Sequence, residues 1–474
     1  MTHGDSDTRP TNTSPSLSSG PRLSRRRALQ VATGAAAGVA GLATRGAPSR
    51  VYAAPNVQGE PIELTYWHGW TDKWEQMVQN VIDMFQAKQS RITIKPQVIP
   101  QDELLTKLTA AIAAGNPPDV VTLFGSTAIP TLANEGALVP LNGLAGVDLP
   151  TIQAWMDPNI LALGQYMDNL YGLSYWAGCS SIIYNTQQFT DAGLDPAAGP
   201  AVVADLDRLG ELLTVKQGNG TIDRMGFLPA AGDFWLWGTV FGGSFYDAAN
   251  KKVTANDPKL VEALTWYQSY AQKYDPKQVA AFADGLASER AQQLDPLIAG
   301  KYSMQIQGPW KLGDIKQFGD GFAYNVVAPP LAAAGMPTSN WTSGDIQVIP
   351  NGSKDPSAAA EFVQFTAGVN DAEGYAQRVV WGGQPINIPV SSSVLQVPAF
   401  QEVVAAYPGF QTFIDSLLNA QNVASAPVMP SAALYADRLT SAIEQVMLLQ
   451  MEPQAALDAL TADVQKDLDR QQNG

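Results

Sequence analysis

Tryptophan is the residue with which this chain is best equipped to do chemistry, and its placement is uneven. Of eleven, eight (Trp67, Trp70, Trp176, Trp235, Trp237, Trp310, Trp341 and Trp381) stand in or beside turn-like segments rather than along helix faces. Turns are where a rigid scaffold presents binding groups. An indole plate suits the apolar C–H face of a sugar ring, and the ring's hydroxyl edges call for Asp, Asn, Gln or Ser. Such residues stand nearby. Asp233 precedes Phe234-Trp235, Asp345 follows Gly344, and Gln384 ends the run Trp381-Gly382-Gly383-Gln384. Each has a plainer reading: a single Trp is more often core than plate, Asp345 could cap a strand start, and Gln384 could complete a tight turn. The shared placement of the group favours binding.

Other chemistries are poorly supplied. The chain has two histidines, His3 and His68, and one cysteine, Cys179. Neither a His/Cys metal site nor a His-based triad can be assembled from them, and no disulfide can form within the chain. Cys179 reads as a small packed residue, and His68 as either a ligand contact or a local hydrogen-bonding group. Phosphate-loop, dinucleotide and EF-hand patterns are absent, so no cofactor, metal or catalytic residue is expected. A secreted glycoside hydrolase also uses aromatic plates, but it needs a pair of acids on strand-end motifs, and none is seen.

Charge narrows the partners further. The formal charge is −15, and without residues 1–53, which hold seven Arg and two Asp, 22 basic residues face 42 acidic ones. Such a surface repels nucleic acid and anionic lipid. A phosphate ligand would need Arg or Lys in the candidate loops, and a polyamine several carboxylates. The loops favour a neutral polyol, with a receptor for a polyamine, organic phosphate or metal chelate as the nearer alternative.

The elements that must position these groups follow from periodicity. Ile62-Glu63-Leu64-Thr65-Tyr66-Trp67 alternates like a strand with Tyr66 toward the core, and Trp74, Met77, Val78, Val81, Ile82 and Phe85 mark one face of a helix. A second strand at 92–94, a second helix from Leu104 to Ile112, and a third strand at 119–124 complete an α/β unit with a parallel sheet. Asp119 reads as structural. Ligands of such sheets collect outside the carboxyl ends of the strands. Here those ends are residues 67–70 and Phe124-Gly125-Ser126, which adds Ser126 to the candidates. Residues 171–176 resume as an extended segment with a first crossing near 174–177, and Tyr175 and Trp176 are counted with the binding groups. Helices are expected around 205–216, 257–273 and 289–299, then a strand at 302–306 running into Gly308-Pro309-Trp310. Residues 331–344 look like a linker, 346–349 like a strand, 355–368 like a capped helix, and 431–470 like a helical tail.

The N-terminus reads as an export signal. A polar start is followed by Ser24-Arg25-Arg26-Arg27-Ala28-Leu29-Gln30, a mild apolar run at 31–43, and Arg45. This order is similar to a twin-arginine signal, with cleavage near Ala53 and Ala54 after Val51-Tyr52-Ala53. No Cys lies near the cut, so a lipid anchor is not expected, and the apolar run is too short to span a membrane.

Several further motifs recur in a recognisable order. They are Ala113-Ala114-Gly115-Asn116-Pro117-Pro118-Asp119-Val120, Leu132-Ala133-Asn134-Glu135-Gly136-Ala137-Leu138, Gly300-Lys301-Tyr302-Ser303-Met304 with Gly308-Pro309-Trp310, and Ile349-Pro350-Asn351-Gly352-Ser353-Lys354. The ordered set resembles family 1 extracellular solute-binding proteins, the maltose-type sugar receptors of ABC importers. The resemblance implies a two-lobed periplasmic-binding-protein fold of type II, each lobe a mainly parallel sheet flanked by helices. Residues 60–175 and 345–398 would form the N-lobe, and 176–335 and 400–474 the C-lobe. It implies a periplasmic or extracytoplasmic monomer that closes on a carbohydrate and presents it to permease subunits. Trp310 matches the family's stacking tryptophan.

Overall fold

The computed structural model describes residues 60–71, 73–290, 295–382 and 386–473. The export motif lies outside them. Strand β1 (Ile62–His68), helix α1 (Lys73–Lys88), β2 (Ile92–Val98), α2 (Gln101–Ala113) and β3 (Val120–Phe124) alternate as the periodicity predicts. Short strands follow: β4 (Gly172–Ser174), β5 (Ser181–Asn185), β6 (Met304–Gln307), β7 (Tyr324–Val327) and β8 (Asp345–Val348). Among the described residues no helix is long and apolar enough to cross a membrane.

The first sheet has the order β2-β1-β3-β8-β4. β1 pairs in parallel with β2 and β3, whereas the late strand β8 runs antiparallel to both β3 and β4. Register decides what meets at its edge. Asp345, the first residue of β8, lies opposite Phe124, the last of β3, and Ile346 lies opposite Ser174, the last of β4. The ends of β1, β3 and β4 and the start of β8 therefore share one edge. At the other end Asp119 ties the strands together: its carboxylate accepts from Thr65 N at 2.8 Å and Lys354 N at 2.7 Å.

The second sheet corrects an expectation. Its order is β6-β5-β7 and both pairings are antiparallel, so it is not a mainly parallel sheet. An apolar run announces a strand but carries no direction, and the long helical connection to β6 returns the chain the opposite way. Beside this sheet, parallel pairing takes the form of single bridges, Val202 with Leu331 and Met225 with Tyr302. Gln307 at the end of β6 lies opposite Ser181 at the start of β5. The chain leaving β6 thus emerges beside the chain arriving from β4.

Two other expectations shift. Within the stretch read as a linker, Ser339–Trp341 forms a strand parallel to Asn422–Ala424, and Asn340 is fully buried, donating to Ser180 O and Ser416 O at 3.0 Å each. Its amide satisfies the backbone that its Ala/Gly/Ser-rich neighbours leave open, which composition alone does not reveal. The helix expected around 289–299 lies earlier, at Pro276–Arg290. Asp295 instead folds a turn, accepting from Leu297 N and Ile298 N.

Strand alternation divides the interior into two cores. Ile183 and Val326 join a first core with Leu64, Val121, Ile346 and Phe362, while Ile182, Tyr184, Met304 and Ile306 join a second with Trp237, Tyr267 and Tyr435. Phe400, Phe410 and Phe413 pack in the first core, and the helices Ala432–Met447 and Pro453–Asn473 supply the second with Leu439, Val446 and Leu460. Three stretches run side by side between the sheets. Ala177 N donates to Ile388 O at 2.8 Å, Ile388 N donates in return to Ala177 O at 3.0 Å, and Gly178 N donates to Ser343 O at 2.8 Å.

Candidate functional site

Trp70 is the hub of the shared edge. It stands in the turn between β1 and α1, and its ring meets Trp74, Phe124 and Trp176 edge-on, with centroids 6.1, 5.1 and 5.5 Å away. Its indole N–H donates to Tyr175 Oη at 3.1 Å. Edge-to-face pairs of this kind are worth about 0.5–1.5 kcal/mol each beyond their burial, so the wall they form is stiff.

These rings line a cleft of about 510 Å³ that also takes in Trp310, Gly125, Gly178 and Gly344. Trp310 belongs to the second sheet. It follows β6 and leads into α3 (Lys311–Phe318), and it is 42% exposed, unusual for an indole in a concave site. The ring packs against Gly308, where an added Cβ would sit 1.9 Å from its Cζ3, so only glycine leaves the ring in this place. Gly344 is required for a like reason: a Cβ would fall 2.2 Å from Ser174 Oγ, and the chain could not turn into β8.

Polar groups are interspersed with the rings. Asp345, Ser343, Gln101, Asn387 and Asp314 all contribute to the cleft. Asp345 is only 9% exposed. Burial pushes its carboxyl up to about 7, against a hydrogen bond from the Trp176 side chain that lowers it. Asn387 is buried too, and its Oδ1 has no hydrogen-bond partner among the described residues. The arrangement offers apolar plates with acceptors at their margins. Among the described residues no cluster of three or more His, Cys, Asp or Glu could hold a metal.

The structure brings together Trp70, Trp176, Trp310 and Asp345 of the residues proposed from sequence. Tyr175 stands behind them, buried, as the acceptor for Trp70. The others sit elsewhere. Trp67 donates to Gln97 Oε1 at 3.0 Å on the neighbouring strand. His68 is fully buried 5.3 Å from the Tyr66 ring, and burial lowers its pKa to about 4; strand alternation points it into the core, and it does not line the aromatic cleft. Ser126 is buried and its carbonyl accepts from Ile129 N.

Trp235 and Trp237 lie on a short helix, Phe234–Val240, not in a turn. Trp237 is fully buried, and Trp235 stacks on Trp341 at 5.5 Å and 15° beside Phe245 and Tyr435. Asp233 is in the turn just before that helix, its pKa raised to about 7 by burial. None of these lines the aromatic cleft. Trp381 falls in the last turn of the helix Ala372–Gly382, and its side chain, like the whole of Gln384, lies outside the described residues. Cys179 is buried, and burial pushes its thiol up, as suits a packed residue.

Beyond the strand-end residues and the glycines, five lining side chains went unpredicted: Trp74, Gln101, Asp314, Ser343 and Asn387. Gln101 opens α2 just beyond β2, where the strand-end rule would have found it. Trp74 and Asp314 each stand four residues after a cleft tryptophan, Trp70 and Trp310, one helical turn on. For Asn387 the sequence carries no signal.

Comparison with known proteins agrees with this geometry. Residues 80–412 match the family model of the bacterial extracellular solute-binding proteins. A binding protein of Brucella abortus (strain 2308) is 25% identical, over 80% of this chain and 86% of its own. The structure of CpMnBP1 with mannobiose bound is 26% identical with a TM-score of 0.73, covering 85% of this chain and all of that one. The maltose/maltodextrin-binding domain from Bdellovibrio bacteriovorus, bound to maltotriose, has a TM-score of 0.66 at 18% identity, over 86% and 100% of the two chains. The fold is thus the α/β periplasmic-binding-protein fold.

The buried carboxyl of Asp345 gives a test of the site's electrostatics. Its folded pKa, about 7, lies above the unfolded value of about 3.9. The folded state therefore holds the proton more tightly, and the stability this provides is complete below about pH 4 and lost as pH rises through 7. Asp345→Asn should stabilise the protein by roughly 2–4 kcal/mol at pH 8 and hardly at all near pH 4. Urea unfolding at both pH values checks this; an equal effect at both would contradict it.

Proposed function

We propose that this chain, which belongs to the bacterial extracellular solute-binding protein family, captures a saccharide in its aromatic cleft and delivers it to the permease of an ABC importer. Members of the family are receptors, and the chain is a binding protein rather than an enzyme. The observation that carries the sugar reading is Trp310, a half-exposed indole from the second sheet in a cleft with Trp70, Trp176 and Asp345 from the first. Stacking plates and a hydroxyl acceptor contributed by separate sheets are what a pyranose needs. The relatives support the same reading, since CpMnBP1 is seen with mannobiose bound.

Two lobes follow from this reading. One comprises 60–175 and 345–398, the other 176–335 and 400–474, and the three side-by-side stretches at 177–178, 343 and 388 serve as the hinge. A ligand held by both walls favours the closed arrangement only as far as its contacts are stronger there. Trp310→Ala should weaken saccharide binding by roughly 1–3 kcal/mol with little loss of melting temperature. Calorimetric titration of the purified protein with mannobiose and maltotriose checks this. Unchanged affinity with a much lower melting temperature would show that Trp310 only packs.

Export by the twin-arginine route, ending in an unlipidated periplasmic or extracytoplasmic protein, completes the proposal. It rests on Arg25-Arg26-Arg27 and the mild apolar run after them. Replacing all three arginines with lysine should leave precursor in the cytoplasm, as immunoblots of cell fractions would show. Normal export of that variant would refute the route.

A further inference from the structure

Among the described residues that line the cleft, Asp345 is the ionisable group without a compensating charge. Among the described residues no Lys, Arg or His lines the cleft. Its other carboxylate, Asp314, lies 3.1 Å from Lys311 Nζ, which also meets Asp295 at 2.6 Å. Around Asp345 stand the phenols of Tyr66 and Tyr175 and the indole of Trp176, all uncharged at neutral pH. Among the described residues no cation is paired with it. A carboxylate buried in this way is costly until a positive charge reaches it. The rings of Trp70, Trp74, Phe124, Trp176 and Trp310 surround the same space, and ring faces attract cations. Both features favour positive charge, and nothing in the lining favours a negative one.

We propose that the natural ligand is an amine-bearing saccharide, with its ammonium group against the Asp345 carboxylate and its ring faces on the tryptophans. This rests on the saccharide reading above and narrows it. The neutral plates accept any pyranose, and the carboxylate selects among them by charge. Sugar acids and sugar phosphates are rejected, because their anionic group would have to be desolvated beside Asp345 with no Lys or Arg to receive it.

Calorimetry at pH 7 with four disaccharides separates the possibilities: the β-1,4-linked glucosamine dimer, its N-acetylated form, cellobiose and mannobiose. A charge-assisted hydrogen bond predicts that the glucosamine dimer binds about ten- to a hundredfold more tightly than cellobiose. Asp345→Asn should reduce that ratio to near one, because it weakens the glucosamine dimer far more than the neutral sugars, which lose only a hydroxyl acceptor. Asp314→Asn, whose carboxylate Lys311 already occupies, should retain the preference, and thermal melts show that each variant is folded. Equal or tighter binding of a neutral sugar, or a preference that survives Asp345→Asn, overturns the inference and leaves the saccharide reading intact. Absence of binding by all four overturns both.

Discussion

The site depends above all on strand direction. Because β6 runs antiparallel to β5, with Gln307 opposite Ser181, the chain leaving β6 emerges where β5 begins, next to Trp176 and Gly178. A parallel β6 would deliver Trp310 to the Asn185 end, remote from the first sheet's aromatic edge. The same logic applies to β8. Its antiparallel pairing sets Asp345 opposite Phe124, so a strand that enters late in the sequence presents its first residue where three earlier strands present their last. Two reversals of direction assemble one cleft from seven separate parts of the chain.

That assembly leaves groups which are poorly satisfied without a ligand. Trp310 shows nearly half its surface, Asn387 keeps a buried Oδ1 without a partner among the described residues, and Asp345 holds a carboxyl where its charge is disfavoured. Each costs stability, of the order of 1–3 kcal/mol for an unmet buried polar atom. The surrounding frame bears that cost. Trp70 is locked by three rings and a hydrogen bond to Tyr175, and Gly308 and Gly344 allow approaches no other residue permits. Local rules are broken at the cleft while the elements behind it obey them, the pattern expected of a functional site.

Much of this was legible in the sequence, and the rest was not for identifiable reasons. Periodicity found β1, α1, β2, α2 and β3, and the rule that ligands gather at strand ends found Trp70. Turn placement and family motifs found Trp176, Trp310 and Asp345. Direction was not legible, because Tyr302-Ser303-Met304-Gln305-Ile306 reads the same whichever way it pairs. Trp74 was hidden because it continues the apolar face of α1, so its second neighbour, the cleft, left no separate mark. Trp235 misled in the opposite sense. Its place after Asp233 suggested a plate, whereas its partner Trp341 comes from a stretch that composition disguised as linker. Asn387 joins the site only through the bridge between Ala177 and Ile388, a contact between residues more than two hundred apart in the chain.

The central claim is that one saccharide is held between aromatic groups from both sheets. A crystal structure of the purified protein with a saccharide that calorimetry shows to bind is the most direct test. The account predicts a sugar ring stacked on Trp310, within contact of Trp70 or Trp176, and with one polar group at Asp345. A ligand resting on the Trp235–Trp341 stack, or touching the first sheet's residues alone, would contradict it.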